Sequence, residues 1–139
     1  MDPAPHNEVI AVGIDGSVGS RRALAWALQH ARDGDRVVLV HAWRESPAMA
    51  DTGLTERGDD TPAQSLLHHE LARAQLHPRA TLLHLGTHCR EGSAADALRE
   101  VGADVVVVGA HGHGLMDRLL GSSSAGLLKR PPCAVVVVP

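Results

Sequence analysis

Gly109-Ala110-His111-Gly112-His113-Gly114 follows directly on Val105-Val106-Val107-Val108, and Gly121-Ser122-Ser123-Ser124 stands a few residues later. These are residue types that handle anions. Glycine lets the backbone approach a ligand closely, and the unpaired N–H groups of a helix start carry partial positive charge. An apolar strand that stops in glycines and restarts at a Gly-Ser helix entrance is therefore a candidate phosphate cradle. The alternative is a pair of glycine-rich turns. Asp15, in Gly13-Ile14-Asp15-Gly16-Ser17, is the one carboxylate that a second small-residue loop adds.

Other chemistry fits the chain less well. A P-loop needs Gly, four residues and then Gly-Lys-Ser or Gly-Lys-Thr, and no such run exists. The dinucleotide pattern GxGxxG fails because Gly112-His113-Gly114 continues into Leu115, Met116 and Asp117. Gly121-Ser122-Ser123-Ser124-Ala125 approximates a nucleophile elbow, yet no strand precedes it and no ordered Asp and His follow it. The chain has ten histidines. Neither His84-x3-His88-Cys89 nor His111-x-His113 has a third and fourth ligand at metal-binding spacing, so no metal site is assigned. His30, His68, His69 and His77 fall on expected solvent faces of helices. His111 and His113 lie where a phosphate contact would depend on pH near the histidine pKa.

The elements that must position these loops are legible from periodicity. Residues 1–7 read as a disordered tail and residues 8–139 as a single domain, with a mobile surface linker at 44–61. The run from Glu8 to Ile14 is a first strand. A helix with Ala23, Leu24, Ala27, Leu28 and Ala31 on one face follows, capped by Ser17 or Ser20 and stopped at Gly34. Residues 36–43 form a second strand. A helix from Pro62, capped by Asp60 or Thr61, turns Leu66, Leu67, Leu71 and Ala74 inward and ends at Pro78. Residues 79–85 are expected as a third strand closed by Gly86. A short helix capped at Ser93 ends at Gly102, the valines at 105–108 are strand four, and Ser122 opens a last helix that Pro131-Pro132 breaks. Residues 134–138 are strand five. Unbroken apolar runs mark strands covered on both faces. Five strands alternating with helices predict an α/β domain with a mainly parallel open sheet and helices on both faces. Ligands of such sheets sit beyond the carboxyl ends of the strands, which selects the loops after strands one and four.

Composition limits the partners. The 139 residues are 44% hydrophobic and 21% charged, with no Phe or Tyr. A formal charge of −3 gives nucleic acid no electrostatic attraction, and the aromatic stacking platforms of single-strand binders are missing. The polar N-terminus shows no leader pattern, no apolar run reaches the ~20 residues of a membrane span, and Cys89 and Cys133 form no CxxC. A cytoplasmic protein is expected.

With these residues in place the chain resembles the universal stress proteins over essentially its whole length. ATP-binding members of that family carry Gly-x2-Gly-x9-Gly-Ser/Thr. Gly109-Ala110-His111-Gly112 matches the first half and Gly121-Ser122-Ser123 the second, with a spacer from His113 to Leu120 of eight residues in place of nine. The resemblance implies a Rossmann-like sheet of order 3-2-1-4-5, of the adenine nucleotide alpha hydrolase-like type. It implies that Gly13, Asp15 and Ala42 line the adenine and ribose end of a bound ATP. Val108, Gly109, Gly112, His113 and Gly114 form the phosphate loop, and Gly121, Ser122 and Ser123 meet the phosphates at the last helix. Asp15 is alternatively a ligand for Mg²⁺ or a turn-forming residue before Gly16. The resemblance further implies a homodimer through Val135, Val136, Val137 and Val138, which would cover an apolar edge strand. Three functions follow: an ATP- or AMP-binding stress-response regulator with little turnover, a nucleotide-free dimeric interaction module, and a slow ATPase or autophosphorylating protein with Ser122, Ser123 or Ser124 as acceptor. With no P-loop lysine and no convincing general base, the first is favoured and no catalytic residue is assigned.

Overall fold

The computed structural model describes residues 7–43, 61–110 and 129–139. The terminal tail at 1–6, most of the 44–61 segment and the stretch 111–128, with the start of the last helix, lie outside the described residues. In chain order the elements are β1 (Val9–Gly13), α1 (Val18–His30), β2 (Arg36–Trp43), α2 (Thr61–Gln75), β3 (His84–Glu91), α3 (Ala94–Glu100), β4 (Val105–Gly109) and β5 (Ala134–Val138). The strands make one fully parallel sheet in the order β3-β2-β1-β4-β5.

Strand alternation divides the core into two layers. Ile10, Val12, Ile14, Val37, Leu39 and Val107 pack with α1 and α2 on one face. Ala11, Val38, Val40, Val106 and Val108 pack with Ala95, Ala97 and Leu98 of α3 on the other. Burial on both faces is why β1, β2 and β4 read as continuous aliphatic runs rather than alternating ones.

The helix boundaries follow local chemistry. Ser17 caps α1, its Oγ accepting from Ser20 N at 3.1 Å. Ser20 is itself buried, and its hydroxyl donates back to Ser17 O at 3.1 Å. Ser93 caps α3 by accepting from Asp96 N at 3.1 Å. In α2, Ala63, Leu67 and Ala74 are fully buried while Leu66 and Leu71 are half-buried. The same face carries Glu70 inward, 1% exposed, with Arg21 Nε of α1 donating to its Oε1 at 3.2 Å. Two buried or strand-end aspartates pin the start of the sheet. Asp35 accepts from Glu8 N and Arg32 N, and Asp104 Oδ2 accepts from Val9 N at 2.8 Å.

The expected third strand at 79–85 is misplaced. Ala80–Leu82 is a 3-10 turn, and the strand runs from His84 to Glu91, through Gly86. Arg79 is committed elsewhere: Nη1 donates to the carbonyls of Leu28, Gln29 and Ala31 at the end of α1, and Nη2 donates to Asp33 Oδ1. The strand begins where His84 N donates to Asp35 O, and it continues because β2 offers it partners as far as Trp43. Gly86 is paired in register with Val38. As an edge strand, β3 is solvated enough to carry His84, Thr87, Arg90 and Glu91, so its pattern lacks an apolar run.

Neither Cys89 nor Cys133 is in a disulfide. Burial and the negative charge of Asp104 push the Cys133 thiol above its ordinary pKa, partly offset by a hydrogen bond involving the Val106 backbone. At neutral pH it is therefore protonated and a poor nucleophile.

Candidate nucleotide crevice

β1 has β2 on one side and β4 on the other, so chain direction across the sheet reverses between β1 and β4. The crevice beyond their carboxyl ends is the expected ligand position. Gly13 closes β1 opposite Val40 of β2, Ala42 lies two residues further along β2, and Val108 and Gly109 end β4 opposite Val137 and Val138. The structure thus brings Gly13, Asp15, Ala42, Val108 and Gly109 to one end of three adjacent strands. Gly112, His113, Gly114, Gly121, Ser122 and Ser123 lie outside the described residues.

The β1–α1 loop is held in one shape by four contacts. Ile14 N donates to Val40 O at 2.8 Å, which extends the β1–β2 ladder by one residue. His41 Nδ1 lies 2.6 Å from Ile14 O. A carbonyl only accepts, so that ring nitrogen carries the proton. Ser17 N donates to Asp15 Oδ1 at 2.8 Å, and Asp15 N donates to Ser20 Oγ at 3.4 Å. Gly16 has φ of +81°, a left-handed backbone that disfavours other residues. A Cβ there would also stand 3.3 Å from Leu66 Cδ1 of α2.

Asp15 is only half used by this loop. Its Oδ2 is buried and has no hydrogen-bond partner among the described residues. A buried acceptor left unsatisfied is costly, so the oxygen is available to a donor or cation entering the crevice. The turn-forming role expected of Asp15 is present through Oδ1, and a ligand-facing role remains open to Oδ2.

Gly109 has a second reason to be glycine. A Cβ on it would lie 2.5 Å from both the carbonyl carbon and oxygen of Gly19 in the first turn of α1. The end of β4 and the start of α1 therefore touch backbone to backbone, which draws the positive end of α1 into the crevice. Val108 is fully buried on the α3 side, so its side chain is turned into the core and away from the crevice. Two residues of this architecture escaped assignment from sequence, His41 and Gly19, and Ser20 was singled out only as an alternative helix cap. His41 ends an aliphatic run beside Ala42, the signal that could have singled it out.

Two of the remaining histidine candidates, His88 and His30, have ordinary partners. His88 Nε2 pairs with Glu100 Oε2 at 2.8 Å, and Arg90 binds the other oxygen of Glu100. His30 stacks on Trp26 with ring centroids 4.1 Å apart. No described helix is long and apolar enough to cross a membrane.

Residues 6–139 match the model of the universal stress protein family. The chain belongs to the universal stress protein family. A universal stress protein of Mycobacterium tuberculosis is 32% identical over 137 residues, which cover 97% of this chain and 46% of the relative. The counterpart from Mycobacterium bovis matches to the same extent. The chain thus spans about half the length of these curated relatives. Among solved structures, a universal stress protein in complex with cAMP is 27% identical, with a TM-score of 0.65 and coverage of 95% of this chain and 97% of that one. UspA from Lactobacillus plantarum shares the fold at 18% identity, with a TM-score of 0.66 and coverage of 98% and 100%. The universal stress protein fold accounts for the sheet order and for the crevice between β1 and β4.

Proposed function

We propose that this universal stress protein binds an adenine nucleotide, ATP in the first instance, in the crevice at the carboxyl ends of β2, β1 and β4. The reading makes it a cytoplasmic regulatory protein of the stress response with little or no turnover. The observation that carries it is the unpartnered, buried Asp15 Oδ2 beside the close approach of Gly109 to the first turn of α1. The structural neighbour in complex with cAMP, 27% identical, supports an adenine nucleotide as the ligand class.

The residues fit such a ligand. Asp15 would accept from the base or ribose or hold Mg²⁺, with Gly13 and Ala42 at the same end. Val108, Gly109, Gly112, His113 and Gly114 would lie along the phosphates with backbone N–H groups, and Gly121, Ser122 and Ser123 would add donors. A bound nucleotide supplies a polyanionic tail that oriented amides hold well. Amides and hydroxyls alone give little help to a transferring phosphoryl group, which agrees with a holding rather than a hydrolytic role.

Asp15→Asn tests the site with little disturbance, because Oδ1 can still accept from Ser17 N. Loss of the charge at Oδ2 is expected to weaken Mg·ATP binding about tenfold or more, with an unchanged melting temperature. Equal affinity in calorimetry would remove Asp15 from the site.

The protein is further proposed to be a homodimer through β5. Val137 is 41% exposed on this edge strand, and Val135, Val136 and Val138 are only partly buried against the core. Val137→Lys is expected to shift the protein to monomer in sedimentation analysis; an undisturbed dimer would place the interface elsewhere.

A further inference from the structure

Away from the crevice, α1 and α2 flank an open groove of about 290 Å³. Its apolar floor comes from Leu24, Ala25 and Leu28 of α1 and Ala74 of α2, and Leu76 at its edge is 85% exposed. Glu70 lines it as a buried carboxylate. Oε1 of Glu70 receives Arg21 Nε, whereas Oε2 is buried with no hydrogen-bond partner among the described residues. Arg21, 40% exposed in its side chain, and Arg73 stand along the same groove, and neither guanidinium has another partner among the described residues. His77 also lines it, with Nδ1 accepting from Arg79 N at 3.2 Å.

These groups ask for three things of one ligand. The unsatisfied carboxylate oxygen calls for a hydrogen-bond donor. Two guanidiniums against one carboxylate leave positive charge over, which suits a carboxylate bound by the guanidinium fork. The floor suits an aliphatic body. An inorganic anion would leave Oε2 unanswered and the floor empty. The volume is just below the roughly 300–1,000 Å³ typical of ligand pockets, which suits a ligand no larger than an amino acid.

We propose that the α1–α2 groove is a second small-molecule site, for an amino acid with an aliphatic side chain. Its carboxylate meets Arg21 and Arg73, its ammonium donates to Glu70 Oε2, and its side chain lies on Leu24 and Leu28. The site is independent of the nucleotide reading, since none of these residues belongs to the crevice.

The test is a titration of the ¹⁵N-labelled full chain with L-leucine, followed by amide NMR. 4-Methylpentanoate, which lacks the amine, and 3-methylbutylamine, which lacks the carboxylate, serve as paired probes. Saturable shifts centred on Arg21, Glu70 and Arg73 are expected, with L-leucine binding about tenfold more tightly than either probe. Arg73→Ala removes an exposed side chain, so its melting temperature should be unchanged while L-leucine affinity falls about tenfold. Three results would overturn the proposal: no saturable shift at high millimolar L-leucine, equal binding of the amine-free acid, or full affinity in the Arg73→Ala protein. Each would leave Arg21–Glu70 as a structural tie between two helices.

Discussion

Replacing Gly109 with alanine is expected to destabilise the folded protein by about 3 kcal/mol, whether or not a nucleotide is present. The new methyl carbon would lie 2.5 Å from the carbonyl carbon and oxygen of Gly19 and 3.0 Å from its Cα. Carbon atoms at optimal separation stand ~3.5–4.0 Å apart, and backbone has no alternative rotamer to retreat into. Relief requires α1 to move off the end of β4. That movement would disturb the packing of Ala23 and Ala27 on Val107 and Val12 in the same layer. Urea unfolding monitored through Trp26 and Trp43 reads the effect as a lowered midpoint. An unchanged midpoint would show that the close approach of β4 and α1 is absent. For Gly109→Val the added volume is larger, and failure to fold is the expected result. Loss of ligand binding in a Gly109 variant is consequently no evidence for a phosphate cradle, because the same substitution damages the framework. Asp15 is the cleaner probe.

The second large effect is expected at Arg79, far from the crevice. Arg79→Ala should cost about 2–3 kcal/mol. Its Nη1 serves the carbonyls of Leu28, Gln29 and Ala31, and Nη2 serves Asp33 Oδ1 at 3.0 Å. Last-turn carbonyls have no partner within their helix, and a cation there also complements the negative end of the helix dipole. One guanidinium thus closes α1 and holds it to the turn that leads into β3. Lysine carries the charge but lacks the planar fork, so Arg79→Lys should recover less than half of the lost stability. Thermal unfolding of both variants checks this. A loss below about 0.5 kcal/mol for Arg79→Ala, the scale of an ordinary surface substitution, would contradict it.

Arg79 also shows where the sequence is hard to read. A single arginine before Ala80-Thr81-Leu82-Leu83 looks like the polar start of an apolar strand, because its role depends on carbonyls some fifty positions earlier, at Leu28 and Gln29. β3 itself is displaced toward the C-terminus because an edge strand needs an apolar pattern on one side only. The inner strands have no such freedom. Aliphatic side chains at Val37, Val38, Leu39 and Val40 are all buried, so periodicity and burial coincide and the bounds of β2 are readable residue by residue. The α3 helix is equally legible, since Ser93 and Gly102 act through neighbours a few residues away.

The site divides along the same line. The β1–α1 loop was readable because Asp15, Gly16 and Ser17 make a local turn whose chemistry is set by residue type. What Gly109 does was only half readable. Its place at the end of a valine strand is local, but its contact with Gly19 is a property of the packed helix. His41 escaped for the same reason, since its value lies in reaching Ile14 O on the neighbouring strand. Glu70 carries no signal of its own in the sequence, and only packing against Arg21 reveals it as buried.

The most direct test of the central claim is the ligand state of the purified protein. The protein would be denatured and any released nucleotide identified; the stripped protein would then be titrated with Mg·ATP by calorimetry, with cAMP in parallel. The account predicts an adenine nucleotide in the released fraction or saturable binding at micromolar concentration, with ADP accumulating slowly or not at all. Neither released nucleotide nor heat up to millimolar ATP or cAMP would contradict it, and the crevice would then belong to a nucleotide-free interaction module.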